Sequence, residues 1–249
     1  MIKSEREKQI LNLLNKNDGY ISVNELSKNL YASPSSIRRD LSRLEKSGNV
    51  KRCYGGAELI TSYSGSIPFN YRFLNNENAK RIIAQKAISL VKENSVIFLD
   101  QSSTAFYLAT MLKNIPSLTV VTNNVEIVNL LLQTKINVIS SGGSLLNENR
   151  TCLAGEIARQ TFSKMYADLA IISSKSISLD GVISDLASEE VAVRQALINN
   201  AKKIAYLCDG SKIGNKSPYI QCDLSKIDYL ISDVDCSAFK KSFSNLTVL

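Results

Sequence analysis

Two groups of side chains in this sequence are spaced to do chemistry. The first lies over residues 34–46. At helical spacing Ser35, Arg39, Ser42 and Lys46 share one stripe, flanked by Arg38 and Arg43. Hydroxyls and guanidinium groups on one helix face can donate to phosphates and to guanine O6 and N7. The second group is four polar clusters, each directly after an apolar run. They are Asp100-Gln101-Ser102-Ser103-Thr104, Thr122-Asn123-Asn124, Ser140-Ser141-Gly142-Gly143 and Cys208-Asp209-Gly210-Ser211-Lys212. The chain has no histidine. That excludes imidazole acid–base catalysis, Ser-His or Cys-His nucleophiles and His-based metal sites. The cysteines at 53, 152, 208, 222 and 236 form no Cys-x-x-Cys pair and read as scattered reduced thiols. No catalytic residue, metal or cofactor is expected.

The first group needs a helix held by others, and the punctuation supplies three. Ser4-x-x-Glu7 and Ser22-x-x-Glu25 are capping boxes, in which hydroxyl and carboxylate each satisfy an orphan N–H. Ile10, Leu11 and Leu14 follow the first box, which ends at Asn17-Asp18-Gly19; Leu26 and Leu30 follow the second. Ser33 suits an N-cap and Pro34 the first helical position, where a missing N–H costs nothing. Within the third helix Ile37, Leu41 and Leu44 form the inner stripe, and Gly48 ends it. Residues 50–60 read as a basic hairpin turning at Gly55-Gly56. A basic hairpin after a basic helix is the layout of a winged helix-turn-helix, with Ser35, Ser36, Arg38, Arg39, Ser42, Arg43, Lys51 and Arg52 as DNA-binding candidates.

The run Ser33-Pro34-Ser35-Ser36-Ile37-Arg38-Arg39-Asp40-Leu41, then Leu44-Glu45, Gly48 and Arg52-Cys53-Tyr54-Gly55-Gly56-Ala57, resembles the signature of the DeoR family of bacterial regulators. Tyr54 stands where many members carry His, and Ser35-Ser36 where members often have Thr.

Residues 61–76 are rich in Ser, Gly and Asn and read as a linker. Phe69, Tyr71 and Phe73, spaced by two, admit an extended strand, with aromatic anchoring to a domain surface the preferred reading. Beyond residue 77 helices alternate with strands, at 96–99, 119–121, 138–139, 169–173, 204–207 and 229–232. The fold expected is an α/β domain with a mostly parallel sheet over 77–249, after an all-α winged helix-turn-helix domain over 1–60. In open α/β sheets ligands bind outside the carboxyl ends of the strands, where all four polar clusters fall. A small anionic ligand is therefore expected there.

The resemblance extends through this domain at Leu99-Asp100-x-Ser102-Ser103-Thr104, Val121-Thr122-Asn123, Gly142-Gly143, Gly155, Asp168, Gly181, Glu190 with Arg194, and Ser211-Lys212. It implies a sensor fold similar to sugar-phosphate isomerases that binds a phosphorylated sugar. By that resemblance Ser102, Ser103 and Thr104 hold phosphate, with Gly142, Gly143 and Lys212 nearby. Asp100, Thr122, Asn123 and Glu190 contact sugar hydroxyls or support the pocket. The function implied is a sequence-specific regulator, a repressor of a carbohydrate operon, acting as a homodimer or homotetramer on an operator.

Charge agrees with this division of labour. Of the net +7, residues 1–60 carry 11 Lys and Arg against 7 Asp and Glu, and residues 87–249 carry 15 against 15. The basic excess in the first third fits a nucleic-acid partner. No apolar run is long enough to span a bilayer, and residues 1–6 show no signal-peptide core, so a cytoplasmic location is expected. Two alternatives are carried. An isomerase-like enzyme would use Asp100, Asp209, Glu190 and Lys212 as acid and base groups. An RNA-binding protein is disfavoured because the A-form major groove does not admit a helix.

Overall fold

The computed structural model describes residues 5–17, 19–59, 69–147 and 149–249. Ser4, Asp18 and the linker residues 61–68 lie outside the described residues. The chain divides into two compact units, 1–75 and 76–249.

In the first unit α1 (Glu5–Lys16) precedes a short strand, β1 (Tyr20–Ser22), then α2 (Val23–Asn29) and α3 (Pro34–Lys46). The Ser22 capping box is complete: Ser22 Oγ accepts from Glu25 N at 3.1 Å, and Ser22 N donates to Glu25 Oε2 at 3.1 Å. Ser33 caps α3 with Pro34 next to it. The inner stripe Ile37, Leu41 and Leu44 is buried with Ile10, Leu11 and Leu14 of α1 and Leu26 of α2. The hairpin is β2 (Val50–Cys53) and β3 (Gly56–Leu59), and β1 joins it in the order β1-β3-β2. Its turn is Tyr54-Gly55, with Gly55 at φ +78°, where glycine carries no steric penalty. A Cβ on Gly56 would collide with the carbonyl oxygen of Ile21, so the second glycine serves the close approach of β1.

Residues 69–75 belong to this unit, and the extended strand admitted for 69–73 is instead a helix, α4 (Phe69–Leu74). Phe69 and Phe73 are one helical turn apart and stack with ring centroids 6.5 Å apart. Phe69 and Leu74 are buried, so the i, i+4 pairing overrides the alternation.

The second unit opens with α5 (Glu77–Ala87), followed by β4 (Val96–Leu99), α6 (Ser103–Ala109), β5 (Thr119–Thr122), α7 (Val125–Leu131) and β6 (Asn137–Ser140). A small hairpin, β7 (Ser144–Leu145) and β8 (Leu153–Ala154), leads to α8 (Glu156–Ser163) and β9 (Leu169–Ser173). Next come β10 (Ser176–Ile177), β11 (Val182–Asp185), α9 (Ser188–Asn199), β12 (Ile204–Cys208), β13 (Tyr219–Asp223), β14 (Tyr229–Ser232), α10 (Ser237–Ser242) and β15 (Thr247–Val248). Seven strands form one parallel sheet in the order β15-β14-β12-β9-β4-β5-β6. The chain starts at β4, steps outward to β6, then returns to the other side of β4 through β9. The point where its direction reverses therefore lies between β4 and β9, paired at Leu99↔Ile171. In such sheets the crevice for a ligand opens at that point.

Strand residues alternate between the two helical layers. Phe98, Val121, Ile172 and Tyr206 share a core with Ala158 and Phe162 of α8 and Val193 and Leu197 of α9. Phe98 meets Phe162 edge to face at 5.1 Å. α5 packs on α6, and α6 on α7, as the other layer. A second sheet, β10-β11-β13, is antiparallel and lies against α9. No helix among the described residues is long and apolar enough to cross a membrane.

Candidate DNA interface and effector site

The outer face of α3 sorts its cations into two kinds. Arg38, Arg39, Lys46 and Lys51 are exposed and make no hydrogen bond or ion pair with other described residues. Arg43 is committed: its Nε donates to Glu7 Oε1 at 2.7 Å and its terminal nitrogen to Asp40. Asp40, fully buried, also accepts from Arg6 of α1. Arg6–Asp40–Arg43–Glu7 is thus an ionic clamp that fixes the rotation of α3 about α1. Arg52 is likewise engaged, with its Nε donating to Glu45 Oε2 at 2.7 Å and its backbone N–H to Glu45 Oε1 at 3.0 Å. Those bonds hold β2 to α3. Ser35 and Ser36 hydroxyls each lie 3.0 Å from the Ser33 cap oxygen, at the start of the helix, and Ser42 is half-buried about two turns further along. A cleft of about 560 Å³ opens between α2, α3 and the wing, lined by Asn24, Arg38, Arg52 and Tyr54. Tyr31, before α3, and Tyr54, on the wing turn, are wholly exposed.

Around the reversal point of the second unit, polar side chains are buried in numbers unusual for a core. Asp100 ends β4 at 0% exposure. Its Oδ1 accepts from Ser102 N at 3.0 Å, and its Oδ2 from Ser173 N at 2.9 Å and Arg194 Nε at 3.0 Å. Arg194 of α9 also pairs with Asp185 at 2.9 Å and Glu190 at 2.9 Å. Burial alone would lower the Arg194 pKa, but Asp185, Glu190 and Asp100 outweigh it and raise it. Glu190 Oε2 further accepts from Gln101 Nε2 at 2.7 Å, and Oε1 from Asn149 Nδ2 at 2.8 Å. Asp100 and Glu190 are therefore framework, each carboxylate accepting from three donors.

Ser102 caps α6, accepting from Ala105 N at 3.0 Å, and Ser103 and Thr104 are the first helical residues. Thr122 Oγ1 accepts from Asn124 N at 3.1 Å and shapes the turn after β5. Asn123 donates through Nδ2 to Leu153 O at 3.1 Å, while its buried Oδ1 has no hydrogen-bond partner among the described residues. Gly142 and Gly143 hold φ +64° and +102°, and a Cβ on Gly143 would collide with the Ala154 carbonyl oxygen. That pair lets β6 turn under β8 and α8. Lys212 sits on a 3-10 turn, Gly210–Lys212, after β12, and its Nζ donates to Ser173 Oγ at 2.6 Å.

Sheet geometry divides this set. Strands lie about 4.8 Å apart, so β12 and β6, four steps apart, are separated by about 19 Å. That exceeds the length of a pentose or hexose phosphate. The strands that Lys212 and Ser102–Thr104 follow, β12 and β4, are two steps apart, about 10 Å, with β9 and its Ser173 between them. The residues brought together are those at the reversal point; Gly142 and Gly143 stand apart from Lys212.

Sequence reasoning passed over Asp40, Asp185 and Ser173. Asp40 falls on the Ile37-Leu41-Leu44 stripe, which marked it as inward-facing. Ser173-Ser174-Lys175 repeats, after β9, the polar run seen after the other strands.

Residues 6–63 match the DeoR-like helix-turn-helix domain, and residues 75–234 match the DeoR C terminal sensor domain. The chain belongs to the DeoR family. Its similarity to curated DeoR-family regulators runs almost end to end. It is 35% identical to the HTH-type transcriptional regulator GolR of Listeria innocua serovar 6a, over 97% of this chain and 95% of that protein. It is 30% identical to the glycerol-3-phosphate regulon repressor of Escherichia coli K12, over 94% and 92%. It is 32% identical to the L-fucose operon activator of Haemophilus influenzae, over 92% and 91%. Among solved structures, ribose 5-phosphate isomerase A of Methanocaldococcus jannaschii overlays 56% of this chain and 55% of its own, at 19% identity and a TM-score of 0.42. As a DeoR-family member the chain is an HTH-type transcriptional regulator, its DNA-binding unit preceding its sensor domain in the sequence.

Proposed function

We propose that this regulator represses an operon of carbohydrate metabolism and that a phosphorylated sugar controls its hold on DNA. The observation that carries this reading is the convergence of Ser102–Thr104, Ser173 and Lys212 at the reversal point, within the span of one sugar phosphate. The hydroxyls and N–H groups opening α6 face the phosphate across from Lys212. The unpartnered Asn123 Oδ1 supports a sugar hydroxyl as donor, since a buried acceptor left unpaired is costly. Asp100 and Glu190 hold the frame.

On DNA, Arg38, Arg39 and Ser35 read base edges, and Lys46 and Lys51 bind phosphates. Arg43 and Arg52 act by fixing α3 and the wing. A homodimer or homotetramer presents paired recognition helices to half-sites one helical turn apart. Catalysis is not part of the proposal. Asp100 and Glu190 are each tied to Arg194 and two further donors as framework, and Asp209 stays charged. Burial pushes the Asp209 carboxyl up, but Lys212, Ser211 and Lys80 outweigh it and hold it below the ordinary value.

The test pairs two measurements on the full chain. Thermal shift with an equimolar pool of D-ribose 5-phosphate, D-fructose 6-phosphate and sn-glycerol 3-phosphate is expected to raise the melting temperature, and the unphosphorylated sugars are not. Gel shift on a duplex selected from random DNA is expected to show release by the same pool. Stabilisation by the unphosphorylated sugars alone, or tight binding unaffected by the pool, overturns the reading.

A further inference from the structure

Asn76 is the first residue of the sensor unit. It occupies the N-cap position of α5 yet makes no side-chain cap bond, although capping is what Asn at that position ordinarily does. Its backbone is left-handed, φ +54° and ψ 37°, a region that asparagine enters more readily than most non-glycine residues. The side chain points to another part of the chain. Its Nδ2 donates to Asp209 Oδ1 at 3.1 Å and to Ser211 Oγ at 3.0 Å.

Asp209 is 3% exposed and, besides Asn76, serves Ser211, Lys212 and Lys80. It caps the turn that carries Lys212, accepting from Ser211 N at 3.2 Å and from the Ser211 hydroxyl. Its Oδ2 lies 3.8 Å from Lys212 Nζ. Lys80, one turn into α5, acts on the same carboxylate. One buried carboxylate therefore joins the start of the sensor unit to the turn bearing the lysine at the ligand crevice.

We infer that Asn76 is a positioning residue for the effector response, transmitting through Asp209 the state of Lys212 to the chain that enters from the DNA-binding unit. The inference rests on the reading of Lys212 as an anion contact. The Lys212 ammonium has three donors; one is given to Ser173 Oγ at 2.6 Å, and its charge faces Asp209 Oδ2 at ion-pair distance, 3.8 Å. Phosphate oxygens compete for them. As Lys212 turns to phosphate, the Asp209 carboxylate is less neutralised and draws harder on its remaining partners, Asn76, Ser211 and Lys80. The clasp on Asn76 tightens, and the residues leaving the DNA-binding unit are held more firmly.

The test is amide hydrogen exchange on the full chain, with and without the same three-compound pool, in wild type and Asn76→Gly. Glycine adopts the left-handed backbone freely, so this variant removes the amide and little else. In wild type the pool is expected to slow exchange in both 210–213 and 76–84. In Asn76→Gly it is expected to slow 210–213 alone and still to raise the melting temperature. The pool's effect on affinity for the selected duplex, about tenfold in wild type, is expected to vanish in the variant. Equal slowing of 76–84 in both proteins overturns the relay while leaving the Lys212 site standing. A pool that raises the melting temperature without slowing 210–213 places the ligand elsewhere, and overturns both the Lys212 reading and the relay. A pool without effect on wild type does the same.

Discussion

Replacing Arg194 with methionine isolates what the buried frame contributes. The side chain is 2% exposed and pairs with Asp100 at 3.0 Å, Asp185 at 2.9 Å and Glu190 at 2.9 Å. Methionine fills much of the same volume, so the change is chiefly electrical. It strands three carboxylates around a space without a cation. Breaking one buried pair by removing a partner costs about 3–5 kcal/mol. The three pairs share a single guanidinium and do not add, so the expected loss is about 5 kcal/mol or more. For a unit the size of residues 76–249 that corresponds to about 10–20 °C in melting temperature. It is comparable with the whole stability of many domains, about 5–15 kcal/mol. Far-UV circular dichroism during urea unfolding reads it directly. Arg194→Lys guards against the case in which the methionine variant fails to fold. Lysine keeps the charge but lacks the planar fork, and a stability between those of wild type and the methionine variant is expected. A methionine variant within about 1 kcal/mol of wild type would show that these carboxylates do not depend on Arg194, and the account of the frame would fall.

Arg39→Ala is expected to weaken binding to the selected duplex by about 1–3 kcal/mol with the melting temperature unchanged; unchanged affinity in fluorescence anisotropy removes Arg39 from the reading face. Ser33→Ala is expected to cost the DNA-binding unit about 1 kcal/mol, measured by denaturant midpoint, because Ser33 Oγ accepts from Ser36 N. Asp209→Asn tests the folded carboxyl that lies below its ordinary 3.8. A depressed carboxyl stabilises the fold above its unfolded pKa, and that stability is lost as pH falls through the folded value. Wild type is therefore expected to exceed Asp209→Asn in melting temperature at neutral pH, with the gap closing below pH 3.8; a gap independent of pH would contradict it.

The DNA-binding unit was legible because its signals are local. Ser22 with Glu25 and Ser33 with Pro34 act within one helical turn, and the stripe Ile37-Leu41-Leu44 repeats at the helical period. The central strands were legible for a related reason, since a parallel strand covered on both faces reads as an apolar run. Legibility failed where partners are distant in sequence. Arg43 looks like any exposed cation until Glu7, 36 residues earlier, is seen to face it. Glu190 and Arg194 have the spacing of a surface i, i+4 pair, yet α9 is covered on both sides by α8, β13 and β9. The strands β10 and β11 are too short for alternation to register, and α4 was hidden by an aromatic spacing that suits strand and helix alike. At the crevice the sequence supplied the polar types, and strand order decided which of them meet.

The three-carboxylate socket of Arg194 also bears on how such a regulator diverges. Change at any one of Asp100, Asp185, Glu190 or Arg194 leaves an uncompensated charge in a dry interior, so these four positions are bound by epistasis and drift together or not at all. Arg38 and Arg39 face solvent without partners among the described residues and are under no such bond. If Arg38 and Arg39 read the operator as proposed, substitutions there can change operator choice one at a time, while the buried charge network around Arg194 is inherited as a block.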